Sequence, residues 1–229
     1  MPQIGDGLTT QVDPDVSLVL ATGLGALAAV ALDQVWRWSR TVVTIVHEAG
    51  HALTALLTGR RLTGIRLHSD TSGLTLSSGR PRGLGMILTA AAGYPTPSLV
   101  GLAGVALLAV DQVTIMLWGG AAVLAGMLVM VRNFYGALVL VATGAVVVGV
   151  SLRGSADVQA AFGYAMTWFL LLGAVRPVSE LWRQCRRPGV TTDANILAGL
   201  TPLPPRFWAV VFGTITLATL ATGAYLLLT

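Results

Sequence analysis

The sequence predicts an all-α polytopic membrane protein of about seven transmembrane helices, with one small β-hairpin after the second helix. Three observations predict it. Of 229 residues, 54% are hydrophobic and only 10% are charged, where a soluble domain carries about a quarter charged residues. Apolar runs close to the ~20 residues needed to cross hydrocarbon follow one another with short breaks. Glycine is abundant, at 27 residues, which suits close helix packing in lipid.

Taken in order, residues 1–15 read as a polar, slightly acidic tail without the basic region and short apolar core of a signal peptide. The spanning segments are then 16–36, 41–58, 83–110, 113–131, 134–152, 160–175 and 207–228. The fourth and fifth are separated only by Arg132 and Asn133. Trp36, Trp38, Trp168, Trp182 and Trp208 fall near segment ends, where interfacial anchors sit. Two stretches break the helical pattern. In 64–78, Ile65 and Leu67 alternate with Arg66 and His68, and Leu74 and Leu76 alternate with Thr75 and Ser77. Between them Ser69-Asp70-Thr71-Ser72-Gly73 is turn chemistry, so this is a β-hairpin. The second, 183–206, is a polar loop punctuated by proline, with a short helical pattern over 193–200. No composition shift divides the chain, so 1–229 reads as a single membrane-embedded domain.

All 14 basic residues are arginine and the net charge is +4. They flank apolar segments and form no patch interleaved with aromatics, which argues against nucleic acid and for lipid topology. If the segments alternate, eleven of the 14 arginines fall on one side, and only Arg37, Arg40 and Arg153 on the other. The positive-inside rule then places the hairpin, the 183–206 loop and the N-terminus in the cytoplasm. Cys185 is the only cysteine, which rules out an intramolecular disulfide and a cysteine-based zinc site.

His47-Glu48-Ala49-Gly50-His51 carries the chemistry. On a helix, histidines at i and i+4 share a face and can bind one Zn²⁺, and the glutamate between them lies beside a water held there. Zinc lowers the pKa of such a water toward ~7 and the carboxylate takes its proton. With three histidines and two glutamates in the chain, chance would produce the pattern on the order of once in a few thousand such sequences. It also lies inside an apolar run, with His51 about 13 Å along the helix from Arg60. Ionisable residues at membrane depth are costly and mark function.

A catalytic zinc takes three protein ligands and keeps one position open. Topology sets aside Asp111 and Asp157 on the far side, Asp33 at the end of the first helix, and the tail aspartates. His68, Asp70, Glu180 and Asp193 remain open as the third ligand. Asp70 sits where a turn expects aspartate, Glu180 lies among arginines, and Asp193 opens a short helix, where an N-cap role would explain it equally well.

The motif in a membrane helix, followed by a hairpin and by Ala92-Gly93 opening another apolar segment, resembles the site-2 protease family of intramembrane metalloproteases. That family carries Gly-Pro-x-x-Asn after its hairpin. Here the segment is Gly93-Tyr94-Pro95-Thr96-Pro97-Ser98, which matches at Gly93 and Pro95 with one inserted residue and puts Ser98 in place of Asn. The family's later Leu-Asp-Gly motif is missing. Thr192-Asp193-Ala194-Asn195-Ile196-Leu197-Ala198, with Leu200-Thr201 and Pro204, is similar to a shorter branch of site-2-protease-like bacterial peptidases. The resemblance implies that Asp193 completes a zinc site with His47 and His51, that Glu48 is the catalytic residue, and that Gly93, Pro95 and Ser98 border bound substrate. It also implies a bacterial cell membrane. The expected activity is hydrolysis of peptide bonds in or near transmembrane segments of a membrane-protein substrate. The alternatives are a catalytically silent zinc protein that binds a partner segment, and an ion- or proton-conducting protein. The hairpin has two readings of its own, an edge that holds an unwound substrate by strand addition or a plug for the bundle.

Overall fold

The computed structural model describes residues 16–185 and 191–229, and the elements named below are those among them. The 1–15 tail lies outside the described residues, as do residues 186–190 of the predicted loop.

The first apolar run winds into α1 (Val16–Ala31), after which Leu32 adopts an extended conformation and the chain restarts as α2 (Asp33–Leu57), bent by 102°. Arg176 holds this corner. Its guanidinium donates to the Val30 carbonyl at 2.6 Å and pairs with Asp33, so one cation serves both the electron-rich end of α1 and the acidic first turn of α2. The sequence placed a loop at 37–40 because of its two arginines. Both are helical instead, Arg37 bonded to Gln34 and Arg40 to Glu180 at 3.1 Å.

The hairpin follows as β1 (Arg61–Leu67) and β2 (Gly73–Ser78), antiparallel, beginning three residues earlier than expected. Ile65 and Leu67 are fully buried while Arg66 and His68 are exposed. β2 turns its polar face inward: Thr75 reaches Glu48 and Ser77 reaches Arg60, with Leu74 and Leu76 outward. The outer edge of β1 is already occupied. Val131 bridges to Ile65, the Arg132 N–H donates to the Ile65 carbonyl at 2.9 Å, and the Asn133 amide closes on both backbone groups of Leu67.

The third run is also broken. α3 (Leu84–Ala92) and α4 (Thr96–Leu108) meet at 70° around Gly93-Tyr94-Pro95. α5 (Val113–Met130) and α6 (Phe134–Arg153) are straight spans. α7 (Ala156–Gly173) and α8 (Val175–Gln184) together make a 29-residue span, longer than the 160–175 predicted. α9 (Asp193–Leu200) occupies the predicted 193–200, and α10 (Pro205–Leu228) closes the fold.

The expected count of about seven spans is not confirmed. Among the described residues, four helical spans are long and apolar enough to cross a membrane, or six if each bent pair is one crossing. The difference comes from reading residues 16–36 and 41–58 as two crossings where the structure has one helix pair. With six crossings, residue 16 and the hairpin fall on opposite sides rather than the same side. Arg153 is then the one described arginine grouped with the far side's loops, so the arginine-rich side is still that of the hairpin. Two expected interfacial anchors are core residues: Trp36 and Trp168 are 2% and 7% exposed, packed with Phe169 between α1, α2 and α7.

Three apolar clusters form the core, two of them built on α2. One holds Trp36 and Val43 against α1 and α7, and another holds Ile45 and Ala52 against β1, α5 and α6. The third seats α9, through fully buried Ala194 and Leu197, against α3, α8 and α10. This last cluster brings the start of α9 to the face of α2 that carries the histidines.

Candidate metal centre

His47 and His51 lie one turn apart on α2 with their rings 4.7 Å apart and nearly perpendicular. Their Nε2 atoms are separated by 3.1 Å, and a single oxygen of Asp193, Oδ2, lies 3.3 Å from His47 Nε2 and 3.2 Å from His51 Nε2. Thr192 makes this possible. Its hydroxyl accepts from the Asn195 N–H at 3.3 Å and so caps α9, leaving Asp193 as the first helical residue with its carboxylate free for the histidines. The N-cap role that the sequence left open for Asp193 therefore belongs to its neighbour.

The donor set fits a metal ion. The His51 Nδ1–H donates to the Thr89 carbonyl at 2.7 Å, which orients the ring with Nε2 toward Asp193 and leaves that nitrogen as the one a metal would take. Two imidazole nitrogens and a carboxylate oxygen thus converge, with edges of 3.1–3.3 Å. Tetrahedral zinc with ligands at 2.0–2.1 Å has donor–donor edges of about 3.3 Å. His47, His51 and Asp193 form the one such group among the described residues. Gly93 provides the room, since a Cβ there would collide with both Nε2 atoms.

The remaining ligand candidates lie elsewhere. Asp70 stays in the exposed turn, where the Ser72 hydroxyl (2.6 Å) and N–H (2.9 Å) hold its carboxyl below the usual carboxylate range. His68 faces the Ser72 hydroxyl. Glu180 is paired with Arg40 and lies 3.9 Å from Arg176.

Glu48 is 3% exposed, and its Oε2 accepts from the Thr75 hydroxyl at 2.5 Å. The Gly73 backbone packs so closely that a Cβ there would collide with the carboxylate. A cavity of about 260 Å³ opens on the site between α2, the hairpin and α9, lined by His47, Glu48, Gly73, Tyr94, Pro97 and Asp193. Tyr94 sets its ring edge-on to His47 at 4.8 Å and stacks on Phe212 at 5.3 Å. Of the three residues expected at substrate, Gly93 borders the histidines. Pro95 is buried, and Ser98 is 0% exposed with its hydroxyl on the Pro95 carbonyl at 2.9 Å. Sequence reading missed Thr75, Thr89 and Tyr94. Their role depends on which helix lies opposite, and only the inward polar alternation of β2 gave any sign of it.

The family model for M50B-like peptidases matches residues 20–223, nearly the whole chain. Neither a curated protein nor a solved structure matches it. With its histidine pair, the acidic partner on α9 and the surrounding helical bundle, the chain belongs to the M50B-like peptidases of the site-2 protease family.

Proposed function

We propose that this protein is an intramembrane zinc metalloprotease that hydrolyses peptide bonds in or near transmembrane segments of other membrane proteins. The observation that carries the reading is the triangle of His47 Nε2, His51 Nε2 and Asp193 Oδ2, with edges of 3.1–3.3 Å and Glu48 on the same helix between the histidines. His47, His51 and Asp193 would hold Zn²⁺, which when bound supplies Lewis acidity toward a carbonyl and acidifies a water. Glu48 takes the proton of the attacking water at its carboxylate and returns it to the leaving amine. Buried surroundings strengthen this carboxylate's interaction with any charge that develops beside it.

A spanning helix keeps its peptide groups hydrogen-bonded, so the substrate must be locally unwound at the site. β2 is suited to hold such a segment. The far edge of β1 is taken by residues 131–133, while β2 lies next to Glu48. Main-chain pairing along β2 would lay an extended chain over the cavity. The arginine-rich side carries the hairpin, which supports a cytoplasmic hairpin and cleavage near the cytoplasmic face of a bacterial cell membrane.

Glu48→Gln tests the reading. Purified in detergent, the variant is expected to retain about one zinc per chain and to lose cleavage by at least ~10²-fold, the lower range of a missing general base. Normal cleavage by the variant would contradict the assigned base. Zinc retained by the unmodified protein without any cleavage would favour a silent partner-binding protein.

A further inference from the structure

Glu48 projects from α2, yet its carboxylate is fixed from the hairpin. Thr75 donates to Oε2 at 2.5 Å, and the same hydroxyl lies 3.2 Å from the Glu48 backbone carbonyl. Thr75 is itself held. It pairs in register with Ile65, which is fully buried and bridged to Val131, and its β-branched side chain has few χ1 choices. A second clamp joins the same elements, the Thr44 hydroxyl on the Thr71 carbonyl at 2.8 Å. Between the two clamps, Gly73 packs its backbone against the carboxylate.

The geometry points to Thr75 as a positioning residue for the catalytic carboxylate, so that the hairpin belongs to the catalytic machinery as well as to the surface that receives substrate. This rests on the protease reading above. A glutamate has three side-chain torsions, and its value as a base depends on reach and direction. Thr75 holds Oε2, and Oε1 lies against the Gly73 backbone at the cavity wall. Because Thr75 sits on the strand whose free edge would pair with substrate, a shift of β2 on binding would move the base with it.

The test reads the contact and the reaction separately. The chain has two glutamates, Glu48 and Glu180. Glutamate labelled with ¹³C at the side-chain carboxyl therefore gives two infrared carboxylate signals, and E180Q assigns them. In metal-free protein, Thr75→Val is expected to shift the Glu48 stretch and Thr75→Ser to leave it in place. With zinc and fluorescein-casein as an unfolded probe, Thr75→Val is expected to lower kcat about tenfold to a hundredfold, the worth of one hydrogen bond to a charged group. KM should stay within about twofold, and Thr75→Ser should restore most of the rate, because the lost interaction orients the base and does not bind substrate. An unshifted band in Thr75→Val, or equal losses in the Val and Ser variants, overturns the proposal while leaving the metalloprotease reading intact. A shifted band with no casein cleavage by the zinc-loaded parent protein contradicts the protease reading, and with it any part for Thr75 in turnover.

Discussion

A methyl group at position 93 would stand against the Nε2 atoms of both His47 and His51. Gly93→Ala is therefore expected to reduce bound zinc well below one per chain while leaving helix content unchanged by circular dichroism. Full zinc occupancy in that variant would mean the histidines turn elsewhere to bind. The histidine pair was legible as a candidate site because residues at i and i+4 share one helical face. Asp193 was only partly legible. Elimination left it among four candidates; of these it is the one that lies with His47 and His51, and the Thr192 cap on its N-terminal side leaves its carboxylate free to do so. Thr75 and Gly73 read only as strand and turn residues, since their approach to Glu48 depends on how a hairpin docks on a helix 27 residues away.

Among the elements, α9 shows how packing places a candidate ligand. Leu197 is fully buried among α3, α8 and α10, and truncating such a leucine costs about 2–5 kcal/mol. Leu197→Ala is expected to weaken zinc affinity without touching a ligand, measured by competition with a chelating dye; unchanged affinity would show that α9 is held by other means. The hairpin offers a parallel case. Asn133 makes two hydrogen bonds to Leu67, at 3.2 and 2.6 Å, and Asn133→Ala should speed proteolytic nicking of the hairpin turn by an added protease. α9 and the end of the hairpin were predicted to the residue, and the hairpin's start to within three, because strand alternation and turn residues are short-range signals. The bends were not. Arginines 37 and 40 read as a loop, but Arg37 bonds within the helix to Gln34, and Arg40 meets Glu180, a partner far along the chain that local spacing does not show.

For the molecule as a whole, composition was enough to give a polytopic helical bundle, because lipid admits few backbone arrangements. The number of crossings depends instead on how two bent pairs lie, which apolar length cannot tell. The six-crossing arrangement puts the hairpin and the α6–α7 junction on opposite sides. With Cys185 replaced by serine, Ser78→Cys and Ser155→Cys are thus expected to react with a membrane-impermeant maleimide from opposite faces of sealed vesicles. Labelling of both from one face would reject that topology. The central claim is that α2 and α9 together hold one metal ion through His47, His51 and Asp193. Its most direct test is zinc content by mass spectrometry of the purified protein and of His47→Ala, His51→Ala and Asp193→Ala. The account predicts about one zinc per folded chain in the parent and a loss of most of it in each variant; a metal-free parent, or full retention in Asp193→Ala, would contradict it.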